Sequence, residues 1–169
     1  TPVAAASCGA SSTADHARMT AIFVDADACP VKDEVVRVAL RHRLAVHMVS
    51  NSWMRTDADP LVSMIVVEQG PDVADDWIAE RAAGGDIVIT SDIPLAARCL
   101  EAGAAVMGSN GKPFTEAGIG SALAMRELKA HLRETGEIAG YNPSFQKKDR
   151  LRFLDAMERE VQKALRVRP

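Results

Sequence analysis

A chain of 169 residues, 47% apolar and 25% charged with a net charge of −3, has the profile of one globular domain that buries about two-thirds of its unfolded surface. Aromatic residues make up 4%, too few for a platform that stacks the bases of single-stranded nucleic acid. Cys8, Cys29 and Cys99 form no C-x-x-C pair and no zinc spacing, which implies a reduced, cytoplasmic chain, and no apolar run approaches the ~20 residues that span a bilayer.

The first 18 residues, "TPVAAASCGASSTADHAR", are small and polar and lack the charged and apolar regions of a signal peptide. They read as a disordered extension, a cloning remnant or an over-extended start. The folded unit, a single domain over residues 19–169, is expected to begin at Met19.

From there strand and helix patterns alternate. "AIFVD" is a short β-branched run, and "PVKDEVVRVALRHR" follows with apolar residues at helical spacing. "LAVHMVSN" and "SMIVVEQ" are the second and third strands. "DVADDWIAERAAGG" reads as a helix with Asp72 as its N-cap and Gly84–Gly85 as its stop. "DIVIT" is a fourth strand, "IPLAARCLEAG" a helix and "AAVMG" a fifth strand, after which "SALAMRELKAHLRETG" and "DRLRFLDAMEREVQKALRVRP" are helical. Apolar strands that alternate with helices predict a three-layer α/β/α fold around a mostly parallel five-stranded sheet, with C-terminal helices appended.

Charge divides along the same line. Residues 1–111 hold 8 Lys/Arg against 15 Asp/Glu, net −7, whereas residues 112–169 hold 12 against 8, net +4. An acidic body with a basic helical appendage suits a metal site flanked by an anion-binding surface, although a Lys- and Glu-rich helix is as often a plain solvated face.

In a parallel sheet, ligands sit beyond the carboxyl ends of the strands, where the strand order reverses. Asp25 ends the first strand and Asp92 lies just past the fourth, so the two face each other if those strands are neighbours. On the helix of residues 73–83, Val73, Ala74, Trp77, Ile78 and Ala82 form one apolar arc; Asp75 borders it and Asp76 points further toward solvent. Asp27 is either the cap of the helix that Pro30 opens or a fourth member of the group. Asp92 has a capping alternative at Ile93, and Asp86, at the wrong end of its strand, reads as a turn residue.

Three carboxylates within ~5 Å repel by roughly 3 kcal/mol per pair at an effective dielectric of 20, which a bound cation relieves. With no His or Cys expected beside them, Asp25, Asp75 and Asp92 select Mg²⁺ or Mn²⁺ over zinc, and the chemistry that follows is attack of water on a phosphodiester. Lys32, Asn51 and Ser91 beside the strand ends, Lys112 in "SNGKPF", and Lys147, Lys148, Arg150 and Arg152 are the candidates for contact with substrate phosphates.

"FVDADACPVKDEV", "ADDWI", "GDIVITSDIPLAARCLEAGA", "GKPFT" and "DRLRF" together resemble the YaiI/YqxD family of uncharacterised proteins over about residues 20–160. That family is grouped with the PIN-like domains, whose shared frame matches Asp25 after the first strand, Asp75 with Ile78 and Ala82 on a helix, and Thr90–Asp92 after the fourth strand. The resemblance implies a nuclease that binds Mg²⁺ or Mn²⁺ through these carboxylates and cleaves RNA, with Asp25, Asp27, Asp75 and Asp92 as its catalytic set. Two positions depart from the PIN pattern. Asp27 stands where many such nucleases have Asn or Ser, and Ile93–Pro94 where they often have another acid.

Two other readings use the same residues. D-x-D with Ser50 resembles a haloacid-dehalogenase-type phosphatase with Asp25 as nucleophile and Asp27 as acid, but no lysine lies between Lys32 and Lys112 to hold the phosphoryl group. A non-catalytic nucleic-acid or nucleotide binder would keep the acidic pocket and use the basic residues of 112–169.

Overall fold

A computed structural model describes residues 19–136 and 145–166, so the expectation for residues 1–18 lies outside the described residues. The elements in chain order are β1 (Ala21–Asp25), α1 (Lys32–Arg41), β2 (Ala45–Ser50), β3 (Val62–Val66), α2 (Val73–Arg81), β4 (Ile87–Ile89), α3 (Ile93–Glu101), β5 (Ala105–Met107), β6 (Pro113–Phe114), α4 (Glu116–Glu134) and α5 (Lys147–Arg166). A single 3-10 turn, Ala26–Ala28, separates β1 from α1.

The period-2 geometry of the strands divides their apolar side chains between two helical layers. Ile22, Val24, Val46, Met48, Ile87 and Ile89 pack against α1 and α5, and Phe23, Val49, Val88 and Val106 against α2 and α3. Burial on both faces is why β1 and β4 are uninterrupted apolar runs. At helical spacing, Val35, Val36, Val38 and Ala39 give α1 its buried stripe. Phe153, Ala156, Met157 and Val161 do the same for α5. The description of the C-terminal helices as an appendage therefore fits α4, where no residue is buried, and not α5.

The sheet order is β3-β2-β1-β4-β5-β6, and every pairing is parallel except β5 with β6. The chain winds outward from β1 to β3, then returns to the other side of β1 at β4. The switch point thus lies between β1 and β4, paired Ile22 to Ile87, Phe23 to Val88 and Val24 to Ile89. The sixth strand is one more than the sequence pattern predicts. It has two residues and begins with a proline, which suits an edge, and carries no periodic signal of its own.

Three local expectations are corrected. Helix α1 starts at Lys32, with Val31 in the N-cap position and no side-chain cap, so Pro30 is not its first residue and Asp27 does not cap it. Asp72 does precede α2, but at φ 66° its side chain makes no capping hydrogen bond. Helix α4 begins five residues before "SALAM": Thr115 accepts a hydrogen bond from the Gly118 N–H at 3.0 Å, and a Cβ at Gly118 would lie 2.9 Å from that same oxygen.

Candidate functional site

Asp25 emerges half-buried from the end of β1, directly at the switch point. The Thr90 hydroxyl, on the segment leaving β4, donates to Asp25 Oδ2 at 3.1 Å. The Asp92 N–H donates back to Thr90 Oγ1 at 3.0 Å, so one buried threonine links the two strand ends. Asp92 also caps α3, its Oδ1 accepting from the Leu95 N–H at 3.0 Å. The capping role foreseen for Asp92 is therefore real, and it leaves Oδ2 without a hydrogen bond from any described residue.

Asp75 reaches the same rim from the first turn of α2. It is half-buried, whereas Asp76 is exposed and paired with Arg98 at 2.7 Å. The burial of Ala74, Ile78 and Ala82 against the sheet turns the Asp75 edge of the helix inward. Asp75 accepts no hydrogen bond from a described residue, and Asp25 Oδ1 accepts none either.

The electrostatics record the convergence. Burial pushes the Asp75 carboxyl up to about 6, reinforced by the charges of Asp92, Asp25 and Asp72 and opposed by Arg98. Burial also raises Asp25, the Thr90 hydrogen bond opposes the rise, and the charges of Asp27 and Asp92 add to it. Carboxylates from three segments thus destabilise one another's ionised forms. Among the described residues no three His, Cys, Asp or Glu side chains already stand at ligating distances, so a shared cation would draw these side chains closer.

Asp27 sits in the 3-10 turn after β1 and leans toward β2. Its Oδ1 accepts from the Ser50 hydroxyl, and the Asn51 N–H donates to Oδ2 at 3.2 Å. Asn51 is itself fixed by donating its side-chain amide to the Glu68 carbonyl at 2.9 Å. The grip of Ser50 and Asn51 on Asp27 was missed in the sequence. It joins residues 23 and 24 positions apart, and only the parallel register of β1 and β2 brings them together.

The expectation that no cysteine stands nearby is also corrected. Cys29 is 6% exposed and close enough to Asp25 for that charge to act on it, although burial is the main cause that holds its thiol protonated. A neutral, buried thiol leaves the donor set all oxygen. Asp86 lies at the opposite end of the sheet, 1% exposed, accepting from the Ala21 N–H and the Ala83 N–H at 3.1 Å each.

The cationic candidates separate. Lys32 Nζ lies 3.5 Å from the Ala26 carbonyl, beside the 3-10 turn. Lys112 falls in the β5–β6 connection, at the same rim, and Ser91 is exposed between Thr90 and Asp92 with its hydroxyl 3.4 Å from that of Ser109. Lys147 and Lys148 open α5 and are exposed. Arg150 is committed to the fold, donating to the Pro30 carbonyl at 2.7 Å and to Glu34 at 3.2 Å. Arg152 stands 4.0 Å from Asp149, at the outer limit of an ion pair.

Fold and site define a three-layer α/β protein with a carboxylate-rimmed switch point. Its sequence matches the model of the uncharacterised bacterial YaiI/YqxD family over residues 23–163, and the chain belongs to that family. It is 64% identical to a UPF0178 protein of Parvibaculum lavamentivorans over 151 residues, 89% of this chain and 99% of that one. UPF0178 proteins of Ruegeria pomeroyi and Rhizobium etli are 57% and 56% identical, over 88% and 85% of this chain and 97% and 92% of theirs. No solved structure matches it. Among the described residues, no helix is long and apolar enough to cross a membrane.

Proposed function

We propose that this protein is a divalent-cation-dependent phosphodiesterase acting on RNA, with a PIN-like carboxylate site. The observation that carries the reading is that Asp25, Asp75 and Asp92 border one switch point closely enough for their charges to act on one another, each with a carboxylate oxygen that no described residue occupies. Such an oxygen set fits Mg²⁺ or Mn²⁺; burial is the main cause that raises Asp25 and Asp75, and the neighbouring carboxylate charges add a repulsion that a cation would relieve.

Asp25, Asp75 and Asp92 would hold the ion. When bound it would act as a Lewis acid on the phosphodiester and lower the pKa of a water ligand. Thr90 orients two of the three ligands at once, through Asp25 Oδ2 and the Asp92 N–H. Asp27, exposed and steadied by Ser50 and Asn51, is the carboxylate that would accept a proton from attacking water. The phosphatase alternative is weakened because the Ser50 hydroxyl, which it needs for a phosphoryl group, is spent on Asp27.

The test is hydrolysis of a labelled single-stranded RNA with Mn²⁺ or Mg²⁺. Metal-dependent cleavage that Asp25→Asn, Asp75→Asn and Asp92→Asn each abolish supports the reading. No cleavage at millimolar metal, or cleavage that survives all three, would refute it.

A further inference from the structure

Helix α4 packs on the body in its first half, where Ile119 joins the cluster of α2 and α3. Its second half carries Arg126, Lys129 and Arg133, all exposed. At 3.6 residues per turn these three fall within about 60° of the helix circumference, and the acids Glu116, Glu127 and Glu134 fall together on another arc about 120° away. Random mixing of solvated charges would interleave the signs. Here like charges are stacked at i,i+3 and i,i+4 without an acid between them, which disfavours the helix in isolation. None of the three cations forms an ion pair or hydrogen bond with another described residue.

That basic face lines a cleft of about 400 Å³ whose opposite wall is Ser91 and Ile93, with Met125, half exposed, on its own side. Ser91 is the residue between Thr90 and Asp92, so one wall of the cleft belongs to the segment that carries Asp92 to the rim. It also lies on the face of the sheet opposite Lys147 and Lys148, since α3 and α5 belong to different layers. A row of cations about a turn apart, unpaired among the described residues and close to an acidic rim, matches the spacing of a phosphodiester backbone rather than a single phosphate.

We propose that the Arg126–Lys129–Arg133 face of α4 is a track for single-stranded nucleic acid that leads the strand past Ser91 to the carboxylates. This rests on the phosphodiesterase reading for its direction but not for its test. With few aromatic side chains in the chain, the track holds the strand through its phosphates and not its bases, so binding is salt-dependent and tolerant of sequence.

The experiment measures binding of fluorescein-labelled oligo-uridylate and oligo-thymidylate, each about 20 nucleotides, to the full chain in EDTA across a salt series. Removing the metal separates binding from cleavage. Arg126→Gln/Lys129→Gln/Arg133→Gln should weaken binding on the order of 10- to 100-fold at 0.1 M salt and lower the log–log salt slope by about 2, three contacts at about 0.7 each. Glu127→Gln/Glu134→Gln, on the other arc, should leave binding equal or tighter and thereby controls for helix integrity. Equal weakening of RNA and DNA supports a phosphate track. An unchanged slope in the triple variant, or no binding by the unaltered chain at low salt, overturns the proposal and leaves the face to an acidic protein surface. Intact binding without metal-dependent cleavage would sink the phosphodiesterase reading and leave this one standing.

Discussion

Burial at the rim sets the titration of Asp75 close to neutral pH. Its folded pKa, about 6, lies above the ~3.9 of an unfolded chain, so the folded state holds this proton more tightly. The corresponding stability is fully present below about pH 4 and is lost as pH rises through about 6. Melting curves in EDTA should accordingly find Asp75→Asn more stable than the unaltered protein at pH 7, with the gap closing toward pH 4. Mn²⁺ affinity should fall as pH drops through 6, because the proton and the ion compete for the same carboxylate. Asp25→Asn should likewise raise the melting temperature of the metal-free protein at pH 7, since asparagine keeps an oxygen for the Thr90 hydroxyl and removes a charge that Asp27 and Asp92 oppose. Asp86 behaves in the other sense. A plain turn residue would tolerate asparagine, but both carboxylate oxygens of Asp86 accept backbone N–H groups in a site 1% exposed. An asparagine would turn its NH₂ on one of those donors, at a cost of about 1–3 kcal/mol in denaturant unfolding, with Mn²⁺ affinity untouched.

Among the elements, α5 and the loop before β6 are tightly interlocked. Gly111 has φ +79°, and a Cβ there would lie 3.2 Å from the Arg152 carbonyl oxygen and the Phe153 Cα, with the Ala156 Cβ at 3.3 Å. Gly111→Ala therefore combines left-handed strain with contact against helix backbone that cannot swing aside. It should destabilise the fold by more than about 1 kcal/mol. Phe153→Ala, at a fully buried ring, should cost about 3–5 kcal/mol. Equilibrium urea unfolding checks both, and near-neutral results would mean that α5 is peripheral after all. The parallel order and the helix faces were legible because burial on both sides leaves continuous apolar strands and 3.6-residue stripes. Strand β6 and the start of α4 were not. One has two residues held only by antiparallel pairing with Val106 and Met107, and the other opens on Gly118 and Gly120, which read as loop until Thr115 is seen to cap them. Asp25 and Asp92 were visible in the sequence because a strand-terminal acid in a parallel sheet is costly without a partner. The Ser50–Asp27 contact was not, because it depends on strand register.

At the scale of the molecule, charge is arranged around the carboxyl end of the sheet. The four rim aspartates sit where β1, β4 and α2 terminate or begin, with Lys112, Lys147 and Lys148 at the same end and the α4 cations beyond Ser91. The opposite end uses its buried acid, Asp86, to tie backbone together. One molecule thus spends carboxylates in two ways, structural at the amino end of the strands and mutually repelling at the carboxyl end. In the proposed function the second group is the cation site. The most direct test is the thermal shift of the unaltered protein with millimolar Mn²⁺ at pH 7.5, compared with Asp25→Asn, Asp75→Asn and Asp92→Asn. Occupancy at about 100 times the dissociation constant adds about 2.7 kcal/mol, a rise of several degrees for a domain of this size. A cation site at the rim gives that rise in the unaltered protein and loses it in each variant. No Mn²⁺-dependent shift in the unaltered protein, or a shift of equal size in all four, would contradict it.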